Sequence, residues 1–113
     1  MSINIDTVVR PTTGNDNLIG TTGNDSINAL SGSDTVDGGE GNDTLVGDAG
    51  NDWLNGGIGN DSLLGQEGDD IVEGGAGKNY ISGGNGNDTL ISESGTDLLW
   101  GGAGNDTYII SSS

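Results

Sequence analysis

The sequence predicts an all-β chain wound as a right-handed parallel β-solenoid of eleven nine-residue repeats, with two parallel sheets. Three observations predict it. Glycine recurs at every ninth position from Gly14 to Gly104. Two residues after each glycine stands an aspartate, with Asn79 the one departure. Two residues further on stands an apolar residue, from Leu18 and Ile27 through to Leu99 and Tyr108. The frame holds without insertion over residues 11–109, and such self-similarity is the signature of a repeat architecture. The expected organisation is a lead-in over 1–10, the repeat over 11–109 and a tail over 110–113.

Each unit reads G-G-x-G-N-D-x-U-x, with U apolar. The first six positions are turn residues: glycine tolerates positive φ and close backbone approach, and Asn or Asp favours turns. The last three positions suit a very short strand, in which neighbours point to opposite faces. U therefore points inward, and positions seven and nine point outward. Two chain reversals close one coil every 18 residues, so strands of odd units stack in one parallel sheet and strands of even units in the other. A right-handed crossover is the strong default for parallel strands. A hairpin meander is the competing architecture, but hairpins rarely keep one loop length through eleven units.

Composition bounds the function. The 113 residues suit a single domain. Only 29% are hydrophobic, and 18 acidic residues face 2 basic ones for a net charge of −16, which is the balance of a disordered chain unless something orders it. So acidic a chain is not expected to bind nucleic acid or anionic membrane surfaces, and it favours cations. Cysteine and histidine are absent, which removes disulfides, thiolate and imidazole metal ligands, and every His-based catalytic arrangement. No apolar run is long enough for a transmembrane segment, so no membrane insertion is expected, and MSINIDTVVRP lacks the apolar run of a cleaved signal.

One apolar residue per unit is little to fold on against chain entropy, and stacking sets aspartates on adjacent coils where they repel. The metal-free chain should be largely unfolded. A hard dication would offset both deficits. Calcium takes six to eight oxygens and accepts backbone carbonyls beside carboxylates, whereas magnesium demands strict octahedral geometry and zinc prefers Cys or His.

Eleven in-phase copies of G-G-x-G-x-D-x-U-x resemble the RTX, or haemolysin-type calcium-binding, nonapeptide repeat. The resemblance implies a right-handed parallel β-roll with calcium held between the turns of units two apart. It implies that carbonyls at positions one, three and five of one turn act with carbonyls two and four and the aspartate of the next stacked turn. One such site would use the carbonyls of Gly38, Glu40, Asn42, Gly57 and Gly59 with Asp61. Another would use those of Gly47, Ala49, Asn51, Gln66 and Gly68 with Asp70. The expected side-chain ligands are Asp34, Asp43, Asp52, Asp61, Asp70, Asp88, Asp97 and Asp106, with Asp16, Asp25 and Asn79 weaker. Asp16 and Asp25 open their stacks, and Asn79 lacks the charge and follows Lys78. Up to about nine calcium ions fit the gaps, and their charge would roughly balance the chain's own.

Other signals are weaker. The aspartates are periodic and alike, and no unit adds a nucleophile, base and oxyanion donor, so no enzyme activity is expected. The five Asn-Asp-Ser/Thr sequons are by-products of the repeat, and the outward threonines form no flat ice-binding array. On the even sheet Val46, Leu64, Tyr80, Leu98 and Trp100 face outward as a candidate docking patch for a parent domain or a second copy. The reading is a calcium-dependent folding and stability module of a secreted bacterial protein, extracellular by resemblance to type I exported proteins. The alternative is the C-terminal repeat segment of a secreted enzyme or toxin, such as a protease, lipase or haemolysin, or an adhesin or surface-layer spacer. Only four residues follow the repeats, so export of this chain on its own is not expected.

Overall fold

The computed structural model describes residues 12–93 and 96–111. The expected lead-in over 1–10 lies outside them, as do Pro11, Ser94, Gly95 and the last two residues of the tail.

Among the described residues the chain forms eleven strands, each covering positions seven to nine of its unit, with β9 and β11 running one residue further: β1 Asn17–Ile19, β2 Ser26–Asn28, β3 Thr35–Asp37, β4 Thr44–Val46, β5 Trp53–Asn55, β6 Ser62–Leu64, β7 Ile71–Glu73, β8 Tyr80–Ser82, β9 Thr89–Ser92, β10 Leu98–Trp100 and β11 Thr107–Ile110. The turn residues on either side keep the strands this short. Odd strands build a six-stranded sheet in the order β1-β3-β5-β7-β9-β11, and even strands a five-stranded sheet in the order β10-β8-β6-β4-β2. All pairings are parallel and advance by eighteen residues, as in Leu45 beside Leu63 and Leu54 beside Val72. The architecture is thus the parallel β-roll that the nine-residue period predicts. No helix occurs among the described residues, so none is long and apolar enough to cross a membrane.

The core is one column between the sheets. Leu18, Ile27, Val36, Leu45, Leu54, Leu63, Val72, Ile81 and Leu90 are buried, joined by Ala29. The column opens at its C-terminal end. Leu99 is only half-buried and Tyr108 is 50% exposed, because no further coil of the described chain stacks on β10 or β11. Of the outward residues on the even sheet, Tyr80, Leu98 and Trp100 are exposed, whereas Val46 and Leu64 are half-buried.

Candidate metal centres

The turns stack as closely as the strands, and glycine makes this possible. Gly59 has φ 136°, and a Cβ there would strike the carbonyl oxygen of Gly41 in the coil before it. Main-chain bonds tie each turn to the next: Ile58 N–H donates to Gly39 O at 3.0 Å, and Gly41 N–H donates to Ile58 O at 3.0 Å. Glu40 and Ala49 bridge Ile58 and Glu67 in the same way.

Two side-chain ladders run along these turns. The Oδ1 of Asp, or of Asn79, accepts the backbone N–H of the Asp or Asn eighteen residues earlier, at 2.7–2.9 Å, from the Asp16 N–H to Asp34 bond through to the Asp88 N–H to Asp106 bond. The second ladder uses position five and runs the other way. Asn42 Oδ1 accepts Asn60 N–H at 2.8 Å, Asn60 accepts Lys78 N–H at 2.9 Å, and Asp69 accepts Asn87 N–H at 2.8 Å. Sequence reasoning gave position five a turn-forming side chain and a carbonyl ligand, but no ladder. The signal was its own recurrence, since Asn or Asp fills it in eight of the eleven units.

One carboxylate oxygen per turn remains. Asp34, Asp43, Asp52, Asp61, Asp70 and Asp88 are buried, and the Oδ2 of each has no hydrogen-bond partner. A buried acceptor left unmet costs about 1–3 kcal/mol, and more when it is charged. Burial accordingly pushes Asp52 and Asp70 up to about 7 and Asp43 and Asp61 up to about 6, and it raises Asp34 and Asp88 as well. The incoming backbone N–H opposes this, while aspartates on neighbouring coils add to it.

These oxygens do not point into empty protein. A Cβ at Gly56 would lie 2.5 Å from Asp61 Oδ2 and 2.7 Å from the carbonyl oxygen of Gly74, one coil on. At Gly65 the same position lies 2.5 Å from Asp70 Oδ2 and 2.8 Å from Gly83 O, and at Gly38 it lies 2.7 Å from Asp43 Oδ2 and 2.8 Å from Gly56 O. Carboxylate and carbonyl thus converge on a space that only a glycine leaves open. Among the described residues no three acidic side chains gather at one point. Any ion held here would meet one carboxylate per turn among main-chain oxygens, the mixed donor set that calcium accepts.

The residues expected around Asp61 and Asp70 fall in stacked turns. Glu40 and Asn42 lie in the coil before that of Gly57 and Gly59. Ala49 and Asn51 stand likewise before Gln66 and Gly68, with Asp69 N–H on Asn51 Oδ1 at 2.8 Å. Gly47 lies against the carboxylate of its own unit, Asp52 Oδ2, at 2.5 Å from the Cβ position. Two of the carbonyls also serve the main chain: Gly57 O accepts Ala76 N–H at 3.0 Å, and Gln66 O accepts Asn85 N–H at 2.9 Å. Asn79 is satisfied within its stack, since Oδ1 accepts Asp61 N–H at 2.8 Å and Nδ2 donates to Gly75 O at 3.3 Å. Asp97 and Asp106 take the same ladder position but are only half-buried.

A family model of the RTX calcium-binding nonapeptide repeat matches the chain in four copies, over residues 11–45, 37–72, 46–81 and 73–108. No curated protein matches it.

Proposed function

The chain belongs to the RTX calcium-binding nonapeptide repeat family, and from that membership we propose a non-catalytic module that folds and is stabilised when calcium enters its turns, as part of a secreted bacterial protein. One observation carries this reading above the rest: six buried carboxylate oxygens, in six successive or near-successive units, lack any partner in a chain that is otherwise hydrogen-bonded turn by turn. A hard cation supplies the missing positive charge and draws main-chain carbonyls and Oδ2 together. The proposed ligands are these aspartates with carbonyls of the stacked glycine-rich turns, including those of Gly38, Glu40, Asn42, Gly57 and Gly59 at Asp61. The chain's own part is to hold Oδ1 on the backbone ladder of the folded roll, which leaves Oδ2 for the ion. Because binding supplies folding free energy, a chain unfolded at low calcium would fold at the millimolar levels found outside cells.

A second reading concerns what the module is attached to. Leu98 and Trp100 are 64% and 65% exposed beside the open C-terminal end of the column, which favours a neighbouring domain of a secreted enzyme, toxin or adhesin seated there.

Far-ultraviolet circular dichroism through a calcium titration, repeated with magnesium, tests the first reading. The β signal should rise with calcium and stay low with magnesium. A chain already β-rich in EDTA, or one that magnesium folds equally well, overturns it.

A further inference from the structure

We infer that donors from Thr12, Thr21 and Ser92, rather than cations, close three of the turns, and that the roll therefore holds six calcium ions. The inference rests on the calcium reading above and concerns which turns take the ion.

Asp25 is as buried as Asp61, each being 3% exposed, yet its Oδ2 is not left unmet. Thr21 N–H donates to it at 2.7 Å, and the Thr21 hydroxyl lies 2.9 Å from Oδ1 and 3.2 Å from Oδ2. Thr12 closes Asp16 in the same manner, with its N–H 2.7 Å from Oδ2 and its hydroxyl 2.8 Å from Oδ1. The middle turns have no such donor at position two, which adopts left-handed φ at Asp48 (70°), Gln66 (76°) and Gly57 (87°), whereas Thr21 does not. Toward the other end, Ser92 replaces the glycine of position one, and its hydroxyl donates to Asp97 Oδ2 at 2.7 Å. In each case the carboxylate is met by a neutral donor of its own turn, and at Asp97 that donor is carried by the residue that replaces the position-one glycine.

The amide of Asn79 closes a fourth turn. Asp106 is only half-buried, and its Oδ2 is not among the buried unmet oxygens. The aspartates that still need a cation are the six whose Oδ2 is unmet. The first turn of each stack is thus closed without metal, giving calcium-bound turns a preformed base on which to add.

Equilibrium dialysis of the full chain against saturating calcium, with folding followed by circular dichroism, tests this. The wild type should bind six ions. Ser92→Gly, which installs the residue that other units carry at that position, should bind seven, and Thr21→Ser should remain at six. A wild-type count other than six, or a Ser92→Gly variant that folds and binds no more than wild type, overturns the inference. If Ser92→Gly does not fold, the wild-type and Thr21→Ser counts decide the matter. Absence of any calcium uptake would instead refute the calcium reading itself.

Discussion

Replacing Asp61 by asparagine should stabilise the metal-free roll and destabilise the calcium-loaded one. Unit eight supplies the geometry. Asn79 keeps the Oδ1 bond of the ladder at 2.8 Å and turns its amide onto the carbonyl at position two of its own unit. Asp61→Asn can do likewise, accepting Asp43 N–H as the carboxylate now does at 2.8 Å and facing the carbonyl of Gly57. The variant removes an unmet buried oxygen, worth about 1–3 kcal/mol to the metal-free fold. It also removes a carboxyl that burial holds near 6 and that is mostly charged at neutral pH. With calcium at about a hundred times Kd, loss of one ion forfeits ~2.7 kcal/mol. Metal-free stability is read in EDTA along a trimethylamine N-oxide series, since that osmolyte favours burial. Loaded stability is read from urea melts in saturating calcium. A change of the same sign in both conditions refutes the reasoning.

Gly56→Ala should weaken calcium binding at the Asp61 rung, because its Cβ would enter at 2.5 Å from Oδ2 and 2.7 Å from Gly74 O, and such overpacking costs about 1–3 kcal/mol; a calcium titration midpoint equal to wild type would contradict this. Asn79→Asp should add one bound ion and lower metal-free stability, as read by dialysis and by the osmolyte series. The pH dependence should have opposite signs with and without metal. The folded carboxyls titrate at about 6 to 7 and the unfolded ones near 3.8, so the metal-free fold binds more protons than the unfolded chain across that window. Its stability should therefore rise as pH falls from about 7 toward 4, while calcium affinity, which needs the ionised form, falls. Osmolyte midpoints and calcium titrations at pH 5 and pH 8 check both.

The fold was legible because period two in a strand and period nine in the chain leave few choices: Leu45, Leu54 and Leu63 can share one core only if alternate units pair. The resemblance likewise pointed to the aspartates. What could not be read is how each carboxylate is divided. Asp61 is one letter in the sequence, but its Oδ1 belongs to the backbone and only its Oδ2 is left for a ligand. That division depends on distances across a coil that no local pattern encodes. The closing roles of Thr21 and Ser92 were hidden for a related reason. Both stand where other units carry glycine, and nothing in the sequence marks them as donors to Asp25 and Asp97. Tyr108 follows the apolar pattern yet stands half-exposed, because burial at an end depends on what stacks next, not on its own unit.

Both ladders and both sheets join units two apart, so the chain is two interleaved series and its length has a parity. Adding or removing eighteen residues lengthens or shortens the roll and leaves every outward side chain on its own side. Removing nine exchanges the sheets for everything downstream. Loss of the unit that carries β6 would carry Tyr80, Leu98 and Trp100 to the sheet of Trp53, and Ile71 to the sheet of Val46. A lineage of such rolls can change length freely in steps of two units, while a single-unit step rewrites both of its surfaces at once.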